Sequence, residues 1–175
     1  MEIFYIIVEV LKAVSISLGV GASTVVIALY LGSLSNDGKI DDSERRLLGI
    51  NYTVLRAGMI LIFLTHLILN IPMFLEGGIT ALYTPLNLIQ WILLGILYVN
   101  AILMTAHIMP DTYGPGIQVS TWFSFGIATA LAPLVAIDLT IFTGAYILFG
   151  IFTIWLLDIF KRDLKAIQDR KGFIH

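Results

Sequence analysis

Several polar side chains with useful chemistry interrupt long apolar stretches of this sequence. His66 lies in an apolar stretch from residue 51 to 75, and Asn100 and His107 lie in another from 87 to 109. Imidazole is the side chain that titrates near neutral pH, and an amide can hydrogen-bond to a neighbour or to a solute. Polar groups in such surroundings are rare and costly, so these residues are the first candidates for a functional site.

Residues three and four apart share one side of a helix, and on this spacing each of the two stretches has one polar face. The first face consists of Tyr52, Arg56, Met59, Phe63, His66, Asn70 and Met73, and the second of Gln90, Leu93, Leu97, Asn100, Met104 and His107. Polar groups that face lipid are costly. The two faces are therefore predicted to pack together as a polar seam that the other helices enclose.

Depth along the helix axis predicts which of these groups can meet. At ~1.5 Å per residue, His66 lies ~14 Å and Asn100 ~20 Å from the same end of the two helices. Ser23 and Thr129 fall at a similar depth on their own stretches. The sequence therefore predicts a polar site of Ser23, His66, Asn100 and Thr129, and the alternative is that these groups only hydrogen-bond helices together.

Two histidines on neighbouring helices could also ligate a haem iron. The depths of His66 and His107 differ by roughly 16–18 Å at the same rise per residue, which is too far for one iron. A haem held by one His and one Met, and a copper site of Met104, His107 and Met109, remain as alternatives. No cofactor is predicted.

One short segment resembles part of a calcium-binding loop. Residues 37–44, Asp-Gly-Lys-Ile-Asp-Asp-Ser-Glu, match the second half of an EF-hand loop, in which Gly makes a sharp turn and the last Glu binds calcium with both oxygens. The first two ligand positions fall on Ser33 and Ser35, so two carboxylates are missing. We predict a polar turn followed by a helix whose acidic start suits the helix dipole, without tight calcium binding.

Enzymatic chemistry has little support. The chain has no cysteine, which excludes disulfides, thiolate metal sites and thiol catalysis. It has no metalloprotease helix motif, nucleophile elbow or phosphate-binding loop. The protein is not expected to be an enzyme.

The composition indicates the elements that carry these residues. Of the 175 residues, 58% are hydrophobic and 13% charged, where a soluble domain has about 25% charged residues. Apolar stretches of about the ~20 residues needed to cross a bilayer are found at 13–34, 51–75, 87–109, 118–137 and 140–160. The predicted fold is an all-α integral membrane bundle of about five transmembrane helices.

Turn signals separate the stretches. They are Ser35-Asn36-Asp37-Gly38, Gly77-Gly78, Thr84-Pro85 and Gly114-Pro115-Gly116. The last connection is a tight turn after Pro133, with Asp138 or Thr140 as the N-cap of the final helix. The first helix can start near Ile3 and run long, or a short interfacial helix can precede it.

Lys and Arg predict the orientation. They flank the first connection and follow the last stretch, and the other connections have none. With an odd number of crossings both basic regions are cytoplasmic, so the N-terminus lies outside. Residues 1–160 then form one transmembrane domain and 161–175 a basic cytoplasmic tail. Glu2, Glu9 and Lys12 interrupt the apolar start, so no cleaved signal peptide is expected.

Three classes of function fit a multi-pass protein of the cell membrane. The first is a small transporter or channel-like protein for a proton, an ion or a small polar solute. The second is a non-catalytic assembly subunit, and the third is a haem- or copper-binding redox protein. The expected partners are the lipid bilayer and a second copy or another membrane protein, not nucleic acid. A core without charged residues is expected, which weakens the case for ion-coupled transport.

Overall fold

The computed structural model describes residues 2–36, 42–110 and 112–172. These residues form five helices, which confirms the all-α prediction. The helices are α1 (Glu2–Asn36), α2 (Asp42–Ala81), α3 (Pro85–Thr105), α4 (Tyr113–Leu131) and α5 (Leu139–Gly172). Within the described residues, α1, α2, α3 and α5 are long and apolar enough to cross a membrane.

The first two helices are longer than their apolar stretches. α1 runs without a break from Glu2, so no separate interfacial helix precedes it. α2 contains Pro72 and is interrupted at Gly78, whose φ of 63° lies in the left-handed region that glycine adopts without strain. The predicted Gly77-Gly78 turn is therefore a kink close to the end of α2.

Hydrogen bonds at its two ends define α3. Thr84 is the N-cap and accepts a hydrogen bond from the Asn87 amide at 3.3 Å, and Pro85 takes the first helical position, where its missing N–H is not needed. At the other end the Ile108 amide donates to the Leu103 carbonyl at 3.1 Å. This Schellman-type ending puts His107 in the left-handed region, with a φ of 56°.

The beginning of α4 differs from the prediction. Gly114-Pro115-Gly116 was expected to form a turn, but it lies in the first turn of the helix. Proline is tolerated there because the first helical amides have no partner within the helix. The glycines serve close packing, since a Cβ atom on Gly116 would come within 2.7 Å of Ile154.

α5 begins where the acidic N-cap was predicted. One carboxylate oxygen of Asp138 accepts hydrogen bonds from the amides of Thr140 at 2.8 Å and Ile141 at 2.9 Å. The sequence left Asp138 and Thr140 as alternatives, and the structure selects Asp138. The helix then continues for 34 residues, well past the end of its apolar stretch.

Side-chain contacts show that consecutive helices run antiparallel. Gln90, early in α3, bonds to Thr129, late in α4. Asn100, late in α3, bonds to Gln118, early in α4. Gly19 of α1 faces Trp122 of α4. In the same reversed order, Met59 and His66 of α2 lie against Tyr98 and Trp91 of α3. Gly116 and Thr121 of α4 likewise lie against Ile154 and Tyr146 of α5. The described helices therefore form an up-and-down bundle.

Helix α4 is at the centre of this bundle. α4 packs against α1, α3 and α5, and ten of its 19 residues are buried. α2 packs mainly on α1 and touches α3 through few residues. The structure therefore differs from the predicted seam between the second and third helices: the buried polar side chains are spread over α1 to α4, and α4 is enclosed because its small and hydroxyl-bearing residues let three neighbours approach closely.

Candidate functional site

A lysine lies inside the bundle. Lys12 of α1 is only 7% exposed. It shares the inward face of its helix with Ser15, Gly19 and Ser23, which follow at helical spacing. The expectation of a core without charged residues is therefore wrong. The sequence analysis treated Lys12 as an interruption of an apolar run, and the signal it missed was this stripe of small and polar residues.

Lys12 begins a chain of hydrogen bonds across three helices. Its Nζ donates to the Gln90 side-chain oxygen at 3.3 Å. The amide nitrogen of Gln90 in turn donates to the hydroxyl of Thr129 at 3.2 Å. The Gln90 side chain accepts from Lys12 and donates to Thr129, so α1, α3 and α4 are joined at one level of the bundle.

His66 of α2 lies close to this chain. The imidazole is 2% exposed and has edge contacts with Trp91, at 4.7 Å between ring centroids, and with Phe125, at 6.4 Å. Neither ring nitrogen has a hydrogen-bond partner within the described structure. Trp91 follows Gln90 directly in α3, so His66 lies at the level of the hydrogen bond between Lys12 and Gln90. We call Lys12, His66, Gln90 and Thr129 the Lys12 cluster.

The Lys12 cluster lies near one end of the bundle. Gln90 is five residues after Pro85 and Thr129 is two residues before Leu131, so both are within about 8 Å of a helix end. The buried amide of Asn70 follows His66 by one helical turn, and its side-chain oxygen has no partner among the described residues. Unfilled polar positions therefore continue from His66 toward that end.

A second polar group lies toward the other end. The Asn100 side-chain nitrogen donates to the Gly114 carbonyl at 3.0 Å and to the Gln118 side-chain oxygen at 3.1 Å. Asn100 is ten residues beyond Gln90 on α3, a distance of ~15 Å along the helix. Its own side-chain oxygen is buried without a partner in the part of the chain described. This pair fastens the beginning of α4 to the end of α3.

The four residues predicted as one site lie at two levels. His66 and Thr129 belong to the Lys12 cluster. Asn100 is bonded to Gln118 instead. Ser23 lies one turn beyond Gly19 on α1, on the Asn100 side of Trp122, and its hydroxyl donates to the Val20 carbonyl at 3.0 Å. The predicted depths were counted from the ends of the apolar stretches. The helices extend by unequal lengths beyond those ends, so residues of similar predicted depth lie at different levels.

Two apolar cavities lie away from the Lys12 cluster. One of about 400 Å³ is between α4 and α5, with Ser124, Asp138 and Tyr146 among its few polar lining residues. The other, of about 350 Å³, is between α3 and α4 and has Asn100 in its wall. Both are open at the side of the bundle, where the lining is almost entirely aliphatic and aromatic.

The histidines are not arranged as a pair of haem ligands. His66 is level with Trp91, and His107 lies beyond Thr105, the last residue of α3, which is itself ~21 Å from Trp91 at the helical rise. His107 is exposed, and the sulfur of Met104 contacts Asn100 instead. Within the described residues, no three His, Asp or Glu side chains form a group able to hold a metal. The segment that resembles half of an EF-hand, at residues 37–44, lies largely outside the described residues.

Comparisons with protein-family models, with curated proteins and with solved structures found no match to this chain. Its function is therefore inferred from the chemistry and geometry of its own residues.

Proposed function

We propose that this chain is a multi-pass protein of the cell membrane in which all five helices cross the bilayer. Four helices have the length and hydropathy for this. α4, with 19 residues, spans ~28 Å, close to the thickness of a bilayer core. Its lower hydropathy fits a helix that contacts protein on several sides. The distribution of Lys and Arg supports a cytoplasmic C-terminus and an outer N-terminus.

In this arrangement the protein moves a proton, an ion or a small polar solute through the bundle. The observation that supports this is the buried Lys12 bonded to Gln90, beside a His66 that has no hydrogen-bond partner in the described part of the chain. A charged side chain inside a bilayer costs free energy and is retained where it faces a partner, a cavity or a pathway. The sequence analysis expected a core without charged residues, which argued against ion-coupled transport. The buried Lys12 supplies such a charge.

Position supports the same proposal. Under the proposed orientation, the ends of α3 and α4 nearest the Lys12 cluster face the outside. The cluster then lies one to two helical turns below the outer surface, within reach of a solute that enters there. The polar group of Asn100 and Gln118 lies ~15 Å deeper, where it offers the solute a second binding position on the way to the cytoplasm.

Flux measurements on purified protein in liposomes test the proposal. After a hyperosmotic step, vesicles reswell only if the added solute enters. The probes are urea, glycerol and potassium chloride with valinomycin, and a trapped pH dye reports protons. We expect faster entry of at least one probe than in empty liposomes, and Lys12→Met should reduce it at least tenfold, because the buried cation is lost.

The control is Arg162→Gln, which removes a positive charge that is exposed and paired with Asp158 on the surface of α5. It should leave the flux unchanged. Size-exclusion chromatography and circular dichroism establish that Lys12→Met is folded before its flux is compared. Wild-type vesicles that admit none of the four probes faster than empty liposomes would overturn the proposal.

A further inference from the structure

The buried charge of Lys12 is incompletely neutralised. An ammonium group has three N–H donors, and the structure gives this one a single hydrogen bond, to the neutral side chain of Gln90. Glu9 lies one turn earlier on the same helix and is exposed. Among the described side chains, no carboxylate forms an ion pair with Lys12. An unpaired buried charge is strongly unfavourable.

His66 supplies a second donor at the same level. A neutral imidazole carries one N–H, and neither nitrogen of this ring, which is 98% buried, has a partner among the described residues. An unmade hydrogen bond of this kind is costly in a protein interior. A single acceptor that carries negative charge could satisfy both Lys12 and His66.

The walls of the Lys12 cluster limit what this acceptor can be. Trp91 and Phe125 pack against His66, and the two cavities described above lie elsewhere in the bundle. An aromatic ring carries partial positive charge at its edge and is a suitable neighbour for an anion. An acceptor among these packed side chains has to be compact, as a halide ion is, and an extended carboxylate or a phosphate ester is too large.

We infer that the Lys12 cluster binds a monovalent halide, held by the Lys12 ammonium and the His66 N–H beside Trp91. The inference rests on the proposed function, because it takes the solute site to be at Lys12 and gives the solute a chemical class. Gln90 holds the lysine from the opposite side through its side-chain oxygen. Thr129 fixes which way the Gln90 amide faces.

Thermal melting of the purified protein in mild detergent tests the inference without any flux. The probes are sodium bromide and sodium chloride, compared with sodium gluconate at equal ionic strength. A halide that binds only the folded state raises the melting temperature, by about 3–6 °C at ten times the dissociation constant for a chain of this size. The rise should saturate with halide concentration, and gluconate should give none.

Gln90→Glu is the decisive variant, because it places a carboxylate of almost the same size beside Lys12. The internal anion replaces the halide, so the variant should melt alike in bromide and gluconate. Arg162→Gln, which alters only an exposed cation, should keep the full halide shift. A wild-type protein that melts identically in all three salts, or a Gln90→Glu variant with an unchanged halide shift, would overturn the inference.

The two proposals can fail separately. Flux of urea or protons that depends on Lys12, combined with no halide shift, would overturn the halide site and leave the proposed function in place. A saturable halide shift in a protein that admits no probe in liposomes would support the halide site and overturn the transport function.

Discussion

The indole ring of Trp122 in α4 lies directly against the backbone of Gly19 in α1. Trp122 is completely buried, and a Cβ atom added to Gly19 would overlap the ring. Gly58 of α2 approaches the same place, close to the Ser15 carbonyl. Three helices therefore meet at one large side chain because two of them have glycine there.

Replacing Gly19 by alanine should destabilise the bundle. The methyl group can be accommodated only if the rigid indole or a helix backbone moves, and overpacking of this kind costs about 1–3 kcal/mol. Gly21→Ala is the matched control, since nothing lies within 4 Å of its added Cβ. Unfolding in detergent should show a lower melting temperature for Gly19→Ala alone. Equal melting of the two variants would show that the helices are not packed as described.

The N-cap of α5 predicts a difference in stability between variants at Asp138 and at Thr140. Asp138→Ala removes an acceptor from two backbone amides, which should cost about 0.5–2 kcal/mol. Asp138→Asn should retain most of the stability, because the amide oxygen can still accept. Thr140→Ala should have little effect, and chemical unfolding of the three variants measures the difference. A larger loss for Thr140→Ala than for Asp138→Ala would assign the cap to Thr140.

A substitution at the end of α3 should make the protein more stable. His107 has a left-handed backbone, which costs a residue with a Cβ roughly 1 kcal/mol. His107→Gly should therefore raise the melting temperature, because glycine adopts this conformation without the steric penalty. His107→Ala keeps the Cβ and serves as the control for loss of the imidazole. A stabilisation shared by both variants would indicate that the imidazole, and not the backbone, was unfavourable.

Double-mutant cycles can establish the two levels of the polar interior. Asn100 and Gln118 share a hydrogen bond, so the effects of Asn100→Ala and Gln118→Ala on the free energy of unfolding should be coupled. The coupling energy should be about 0.5 kcal/mol, the lower end of the range for residues in contact. Asn100→Ala and His66→Asn should add within about 0.5 kcal/mol, because the residues are remote. Strong coupling between His66 and Asn100 in unfolding measurements would restore the single site that the sequence suggested.

Reporter fusions test the proposed crossings. Fusions after Ser35, after Met109 and at the C-terminus should report the cytoplasm, whereas one after Pro133 should report the outside. If α4 does not cross, the fusions after Met109 and Pro133 will report the same side. The fusion after Pro133 is thus the one that decides whether α4 spans the membrane.

The sequence predicted those features that depend on nearby residues. Apolar runs and turn residues located the five helices, and the cap at Asp138 followed from a carboxylate placed just before an apolar run. The turn at Gly114-Pro115-Gly116 was wrong because proline and glycine are compatible with a first helical turn as well as with a loop. Only the contact of Gly116 with Ile154 distinguishes the two.

The candidate site was harder to predict because it depends on the register between helices. His66 and Thr129 lie at one level as expected, but Asn100 does not. A few additional helical residues displace one helix relative to its neighbour by several ångströms along the bundle axis. Lys12 was missed because a lysine near the start of an apolar run usually reaches out to the membrane surface. Its inward direction is determined by helix α4, far away in the sequence.

The position of α4 also bears on the order in which such a chain can be made. A helix that is stable because its neighbours cover it has little tendency to leave the translocon for lipid alone. α3 precedes it and α5 follows it in the chain, and both pack on it. If α4 crosses the bilayer as proposed, α1 and α3 are already made when it emerges, and α5 begins 26 residues after it, counted from Tyr113 to Leu139. Under that proposal α4 enters the membrane together with its packing partners, and its insertion is cooperative.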